Sequence, residues 1–260
     1  MNKPDNISNF NAAANLLNTR FYQAISSDFS RTRQNSWPGW EKFAQDIFAQ
    51  LPEYPYILDF ACGNMRFAKF CGKIIPQFNY LGLDNNKALA DSYEKTCLQA
   101  GQKLAFNKVD LLKDSCQSCL LNNFNLVVSF GFFHHIPSYK KRIEILQQLI
   151  DAAVQGGFVA ISLWQFMKDK KIATKAQAST NNALQYFETQ AQYQALLQTQ
   201  KNDYFLSWDQ AENVYRYCHN FEEAEIDSIV SDIKTARLIS SFNADGKNNA
   251  LNRYLVFQKE

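Results

Sequence analysis

The chain opens on helical patterning and then changes rhythm. Two helices are expected first, one over residues 12–29 and a second opening at Trp37-Pro38, where proline suits the first helical turn. From residue 55 onward, short and mostly apolar runs alternate with helix-length segments: Pro55 to Phe60, Phe78 to Leu83, Leu104 to Val109, Asn125 to Phe130 and Phe158 to Leu163. Strands covered on both faces carry such continuous apolar runs, so the alternation predicts a buried parallel sheet with helical crossovers over residues 55–164.

Capping residues punctuate the crossovers. Asn85 or Asn86 can start a helix that Gly101 closes, and Ser138 can start another whose inward face holds Ile143, Leu146, Leu149 and Ile150 before Gly156-Gly157 ends it. Residues 168–203, rich in Gln, Ala, Lys and Thr with apolar anchors such as Leu184, Phe187 and Tyr193, read as an inserted helical lid. Strand character returns in Ala236 to Phe242 and Leu251 to Phe257, joined across Asp245-Gly246 as a terminal hairpin. The expectation is one domain over residues 1–260: a helical cap (1–50), a sheet core (51–165), an insertion (166–210) and a C-terminal segment with the hairpin (211–260).

Composition narrows this picture. With 46% hydrophobic and 14% aromatic residues in 260, the chain can bury a full core, and disorder of the whole is excluded. No apolar run approaches the roughly 20 residues that span a bilayer, and Met1 to Asn6 lacks the apolar core of a signal peptide. A soluble cytoplasmic protein with no membrane partner is the expectation. Charge is nearly balanced, 27 basic against 25 acidic residues, so an RNA contact would need a local patch. Lys168, Lys170, Lys171 and Lys175 supply one candidate, which a solvated face explains as well. Six cysteines include one close pair, Cys116 and Cys119, short of the four ligands of a structural zinc, so free thiols and no metal site are expected.

Asp59-Phe60-Ala61-Cys62-Gly63-Asn64-Met65 follows the first strand and opens a helix, where nucleotide-type cofactors lie against a doubly wound sheet. A glycine turn alone is weak evidence, because a tight strand-to-helix connection needs one for conformation. The second strand adds Asp84, about 20 residues on, where a carboxylate can accept from both ribose hydroxyls of an adenosine cofactor. Asp110 closes the third strand, placed to meet an adenine amino group. Of the G-x-G-x-x-G positions that seat a pyrophosphate only Gly63 is glycine, which leaves NAD as the second choice. S-adenosylmethionine has no phosphate, and Asp59 offers a carboxylate to its ammonium group.

The run from Ile57 to Phe67, with Gly82-Leu83-Asp84, Asn125 to Phe130, His134-His135-Ile136 and Gly156-Gly157, resembles class I S-adenosylmethionine-dependent methyltransferases. That resemblance implies a Rossmann-like seven-stranded sheet with parallel strands and one antiparallel terminal strand. It implies cofactor contacts from Asp59, Ala61, Cys62, Gly63, Asn64, Asp84, Asn85, Asp110, Leu111, Ser129 and Phe130. Met65 stands where the family carries glycine, with a side chain able to crowd the methionine end of the cofactor.

Flanking segments resemble a narrower group, the eukaryotic-type tRNA wobble-uridine carboxymethyluridine methyltransferases. Phe29 to Pro38 is similar to its F-S-x-T-R-x-x-x-W-P segment, Asp203 to Trp208 to D-x-x-x-x-W, Tyr215 to Glu225 to R-Y-Y-H-x-F-x-x-x-E, and Asn252-Arg253-Tyr254 to N-W-Y. Cys218, Arg253 and Ser207 depart from those patterns. The resemblance implies methyl esterification of a carboxylate on tRNA, and relatives of this group can require a small zinc-containing partner protein.

A carboxylate acceptor is ionised at neutral pH and needs no general base. What it needs is cations and donors that orient it, and Arg33, Arg216, His134, His135, His219 and Asn252 have that chemistry. Plainer readings stand beside these: one of His134 and His135 as a packing residue, Tyr215 to Phe221 as an amphipathic element, Trp37 and Trp208 as core anchors, and Cys218 as a buried thiol rather than a nucleophile. Methylation of a small carboxylic acid or metabolite is the rival activity, and a non-catalytic cofactor-binding subunit the third reading.

Overall fold

The computed structural model describes residues 3–33, 35–90, 101–112, 123–208 and 211–260. Seven strands form one sheet: β1 (Tyr56–Phe60), β2 (Phe78–Asp84), β3 (Gln102–Lys108), β4 (Phe124–Ser129), β5 (Ala153–Trp164), β8 (Ala236–Ala244) and β9 (Asn252–Lys259). Their order is β3-β2-β1-β4-β5-β9-β8. The first five run parallel, and β9 pairs antiparallel with β5 and β8. Strand order reverses between β1 and β4, which makes the carboxyl ends of those strands the expected crevice.

Side chains alternate between the two faces of the sheet, as the pleat demands. Leu58 and Phe60 join a core with Ile145, Leu146 and Leu149 of α5 (Tyr139–Ala152) and Ile226 and Ile229 of α7 (Glu223–Asp232). Ile57 faces the opposite core, built with Trp40, Phe43 and Ile47 of α2 (Pro38–Ile47) and Phe67 and Phe70 of α3 (Arg66–Cys71). Proline opens α2 as expected, and the Ser138 hydroxyl accepts from the Lys141 backbone N–H at the start of α5. Asn86 rather than Asn85 caps α4 (Lys87–Ala90), accepting from the Ala88 N–H. The remainder of that expected helix, and the Cys116/Cys119 pair, lie outside the described residues.

Three expectations are corrected. The N-terminal helix α1 spans Lys3–Thr32, well beyond residues 12–29. Helix α5 stops at Ala152 without glycine, and β5 begins at Ala153, so Gly156-Gly157 lies inside the strand. There the pairing with β4 jumps from Phe124↔Ala153 to Leu126↔Phe158, and Gly156 takes a φ of 75° in the bulge. The segment after β5 is also more than a helical lid. Helix α6 (Lys170–Glu188) packs on a separate two-stranded sheet of β6 (Asp203–Ser207) and β7 (Tyr215–His219), which went unforeseen. Phe187, Phe205 and Tyr217 share a core there with Phe10, Ala14 and Leu17 of α1. Helix α1 thereby bridges this small sheet to the main one.

Candidate active site

The turn after β1 places Ala61, Gly63 and Met65 at φ of 67°, 53° and 56°, alternate residues in the left-handed region that favours glycine. Met65 nevertheless leaves the crevice clear. Its side chain is 1% exposed and turned into the core below the loop. Gly82 of β2 makes the room: a Cβ there would stand 2.8 Å from Cys62 Sγ and 3.1 Å from Met65 Cε.

The Gly63 and Asn86 N–H groups each donate at 2.9 Å to the Asp84 carboxylate, one to each oxygen. Burial pushes the Asp84 pKa up, and the backbone donors from Asn86, Gly63 and Asn85 hold it back. Asp59 is 3% exposed, accepts from the Tyr80 hydroxyl, and is pushed up to about 7 by burial, with Asp84 adding to the shift. Two carboxylates beside an open small-residue turn make an acceptor set that fits hydroxyl and ammonium groups.

A cavity of about 520 Å³ opens over this turn. Asp59, Ala61, Cys62, Gly63, Asn64, Asp84, Asn85, Asp110, Leu111 and Phe130 all line it, which matches the expected cofactor wall. Ser129 does not line it. Its place on β4 turns the side chain into the sheet interior, where it is 0% exposed and its hydroxyl has no partner.

The opposite wall joins residues far apart in sequence. Arg33, His134, His135, Arg216 and Asn252, named in sequence as acceptor candidates, are brought together there. Tyr22, Arg66 and Trp164 line it too, and sequence reasoning missed them. The Tyr22 signal was present: Asn15, Asn18 and Tyr22 put a polar stripe on one face of α1 among buried Ala14, Leu17, Phe21 and Ile25. Arg66 Nε donates to Asn64 Oδ1 and Nη1 to the Asn35 carbonyl, which holds the guanidinium over Trp37 and Trp40. Asn252 donates to Asp245 at 2.7 Å.

Arg216 is the centre of this wall. Its guanidinium lies over Phe21 and Trp164, and Nη1 donates to the Tyr22 hydroxyl at 3.1 Å. Burial opposes its charge, the Tyr22 hydroxyl and Cys218 thiol outweigh that, and its pKa is raised. Its Nε is buried without a partner, and no carboxylate among the described residues pairs with it. Burial and the neighbouring Arg216 charge pull the Arg33 pKa down.

The two histidines are neutral. His135 Nδ1 lies 2.9 Å from the Tyr217 carbonyl, which can only accept, so Nε2 carries the lone pair that takes the Tyr22 hydroxyl proton at 2.8 Å. Burial, then Arg216, pushes His135 down to about 3. His134 falls well below its usual value for the same first reason, with its Nδ1 buried and unpartnered. Cys218 completes a trio with them whose ligand atoms lie within 4.8 Å, but both His135 nitrogens are committed and burial pushes the thiol up to about 12. That thiol is neither metal-poised nor nucleophilic.

His219 is corrected outright. It lies outside the cavity, with Nδ1 2.8 Å from Asp203 Oδ1 and Nε2 2.8 Å from Glu225 Oε2, so neither nitrogen is free for an acceptor. Glu225 in turn takes Arg142 Nη1 at 2.5 Å, while Arg142 Nε donates to the Ile136 carbonyl just beyond the histidine pair. Within the Tyr215 to Phe221 segment, Tyr215–His219 forms strand β7.

Comparison with known proteins bears directly on this crevice. Residues 58–159 match the family described as Methyltransferase domain. This stretch is a methyltransferase domain, and the chain resembles the class I S-adenosylmethionine-dependent methyltransferases. Among curated relatives, a tRNA (carboxymethyluridine(34)-5-O)-methyltransferase of Arabidopsis thaliana is 29% identical over 158 residues, covering 60% of this chain and 35% of that protein. The Schizosaccharomyces pombe protein of the same name is 23% identical over 226 residues, covering 86% of this chain and 90% of the relative. The chain thus matches about a third of one relative's length and most of the other's. A solved S-adenosylmethionine-dependent methyltransferase from Methanosarcina mazei shares the fold at a TM-score of 0.58 and 16% identity, over 82% of this chain and 96% of that one. In the methyltransferase domain, the matched residues carry the turn, Asp59, Asp84, Asp110 and the histidine pair, while Arg33 and Arg216 come from outside it.

Proposed function

We propose that this methyltransferase esterifies the carboxylate of a modified wobble uridine in tRNA. One observation carries the reading: Arg216 lines the cavity as a buried cation, and among the described residues no carboxylate neutralises it. An anion fits that vacancy in the charge balance, and arginine can bind a carboxylate through two parallel donors. The curated relatives named for carboxymethyluridine support the choice of anion.

S-adenosylmethionine, when bound, supplies a methyl group activated by a sulfonium. Asp84, Asp59 and Asp110 would hold it, through ribose, ammonium and adenine respectively. The chain's other residues act on the acceptor. Arg216 and Arg33 hold the carboxylate and set its direction of approach, so orientation supplies the acceleration that a base would otherwise provide. Tyr22 keeps Arg216 in place, and His135, fixed as a neutral tautomer, takes no proton. Phe130, Trp164 and Trp37 line the cavity with apolar surface that excludes water from the nucleophile.

The test is incubation of the purified protein with labelled cofactor and an anticodon stem-loop carrying 5-carboxymethyluridine. Mass spectrometry should find the methyl ester on that uridine. Faster methylation of free small carboxylic acids than of the stem-loop would overturn the reading.

A further inference from the structure

A second depression, of about 390 Å³, adjoins the cavity. Arg33, Trp164 and Arg216 border both, so the two meet at the acceptor wall. The outer depression lies between the end of α1, one face of α6 and the end of β6. Its walls are fixed: Ser179 of α6 donates to the Phe205 carbonyl at 2.7 Å and accepts from the Ser207 N–H at 2.8 Å.

Charge and shape identify what it suits. Arg31, Arg33, Lys175 and Arg216 line it, and the one carboxylate among the described lining residues, Asp28, is bonded to Arg31 at 3.0 Å. At the end of β6 stands Trp208, its ring set edge-on to Phe21 and capped by the Arg33 guanidinium at 5.8 Å. A cationic groove with an indole platform is the arrangement that tracks a phosphodiester backbone while stacking a base. A small carboxylic acid would fill the inner cavity and leave this groove unused.

We infer that the groove seats a nucleotide adjacent to the methyl acceptor in single-stranded RNA, with its base stacked on Trp208 and its phosphate drawn by Arg31 and Lys175. The inference rests on reading the acceptor as part of an RNA.

The test uses the full chain and a fluorescent, unmodified single-stranded RNA of anticodon-loop length, read by anisotropy over a salt series. Trp208→Ala should weaken binding about tenfold and Trp208→Phe should restore most of it. Arg31→Glu, at an exposed position that carries no fold, should weaken binding similarly and flatten the salt dependence. A parent that does not bind the RNA, variants that bind as the parent does, or equal competition by an acidic peptide would each overturn the inference. Because the probe has no carboxylate, the two readings separate. RNA bound through Trp208 with no ester formed refutes the proposed reaction alone, and ester formed on the stem-loop with RNA affinity unchanged in Trp208→Ala refutes the groove alone.

Discussion

Arg216 and Tyr22 meet across 3.1 Å, the guanidinium donating to a hydroxyl that itself donates to His135. This relay joins β7, α1 and the turn Phe133–His135 at one point of the cavity wall. Tyr22→Phe removes the central hydroxyl and leaves a buried imidazole acceptor unpaired, a loss of about 1–3 kcal/mol. Urea denaturation should show that cost. A double-mutant cycle with Arg216→Lys should show coupling of about 0.5–3 kcal/mol; additive effects would mean the three groups do not act together.

Arg216→Lys keeps the charge and loses the planar fork. With saturating cofactor, single-turnover transfer to the stem-loop should fall by about 10- to 100-fold, the loss expected for one charged hydrogen bond. Cofactor affinity measured by calorimetry should stay within about twofold, since among the described residues the Arg216 guanidinium is held by Tyr22, Phe21 and Trp164. An enzyme as fast as the parent would remove the carboxylate clamp.

The pH profile follows from the two buried histidines. His135, at about 3, is neutral from pH 5 to 8, burial pushes His134 in the same direction, and the acceptor carboxylate is ionised there. The single-turnover rate should therefore be flat over that range. A tenfold rise per pH unit would reveal a base that this reading denies. Stability behaves differently: the unfolded chain protonates these histidines near pH 6.5 and the folded chain resists, which lowers stability as pH drops from 6.5 toward 3, while Asp59, at about 7 when folded, works in the opposite direction, so in an Asp59→Asn background stability should fall over that range. Thermal unfolding between pH 7.5 and 4.5 checks the direction.

Asp59 gives cofactor binding its own pH dependence. At about 7 it is half-protonated at neutral pH, and an ammonium ligand favours the ionised form, so affinity should rise with pH from 6 to 8. Asp59→Asn should flatten that rise. Asp84→Ala should weaken binding by about 1.5–3 kcal/mol, as loss of a charged acceptor does. Calorimetry showing unchanged affinity in Asp84→Ala would remove the placement of the cofactor.

The sheet was legible because buried parallel strands leave continuous apolar runs, and Asp84 was legible because a strand end fixes where its carboxylate points. The acceptor wall was read only in part. Arg33 and Arg216 carried a motif resemblance, but nothing local in sequence says that β7 lies against α1, since that contact is made through the shared core of Phe10, Leu17 and Tyr217. His219 shows the limit from the other side. Its residue type suits an acceptor site, yet Asp203 and Glu225, the acids that bound the two flanking motif segments, occupy both nitrogens. Ser129 failed for a simpler reason: a one-residue step along a strand exchanges crevice for interior, and Phe130 took the exposed place.

The packing of Met65 beneath Gly82 ties the identity of the cofactor turn to a neighbouring strand. Volume is exchanged between the two positions: the bulk carried at one is absent at the other. Drift at either site is therefore constrained by its counterpart, and an alanine introduced at position 82 must displace the Cys62 thiol as well as the end of residue 65. A chain that has accepted methionine in a left-handed turn has made its second strand part of that turn's specification.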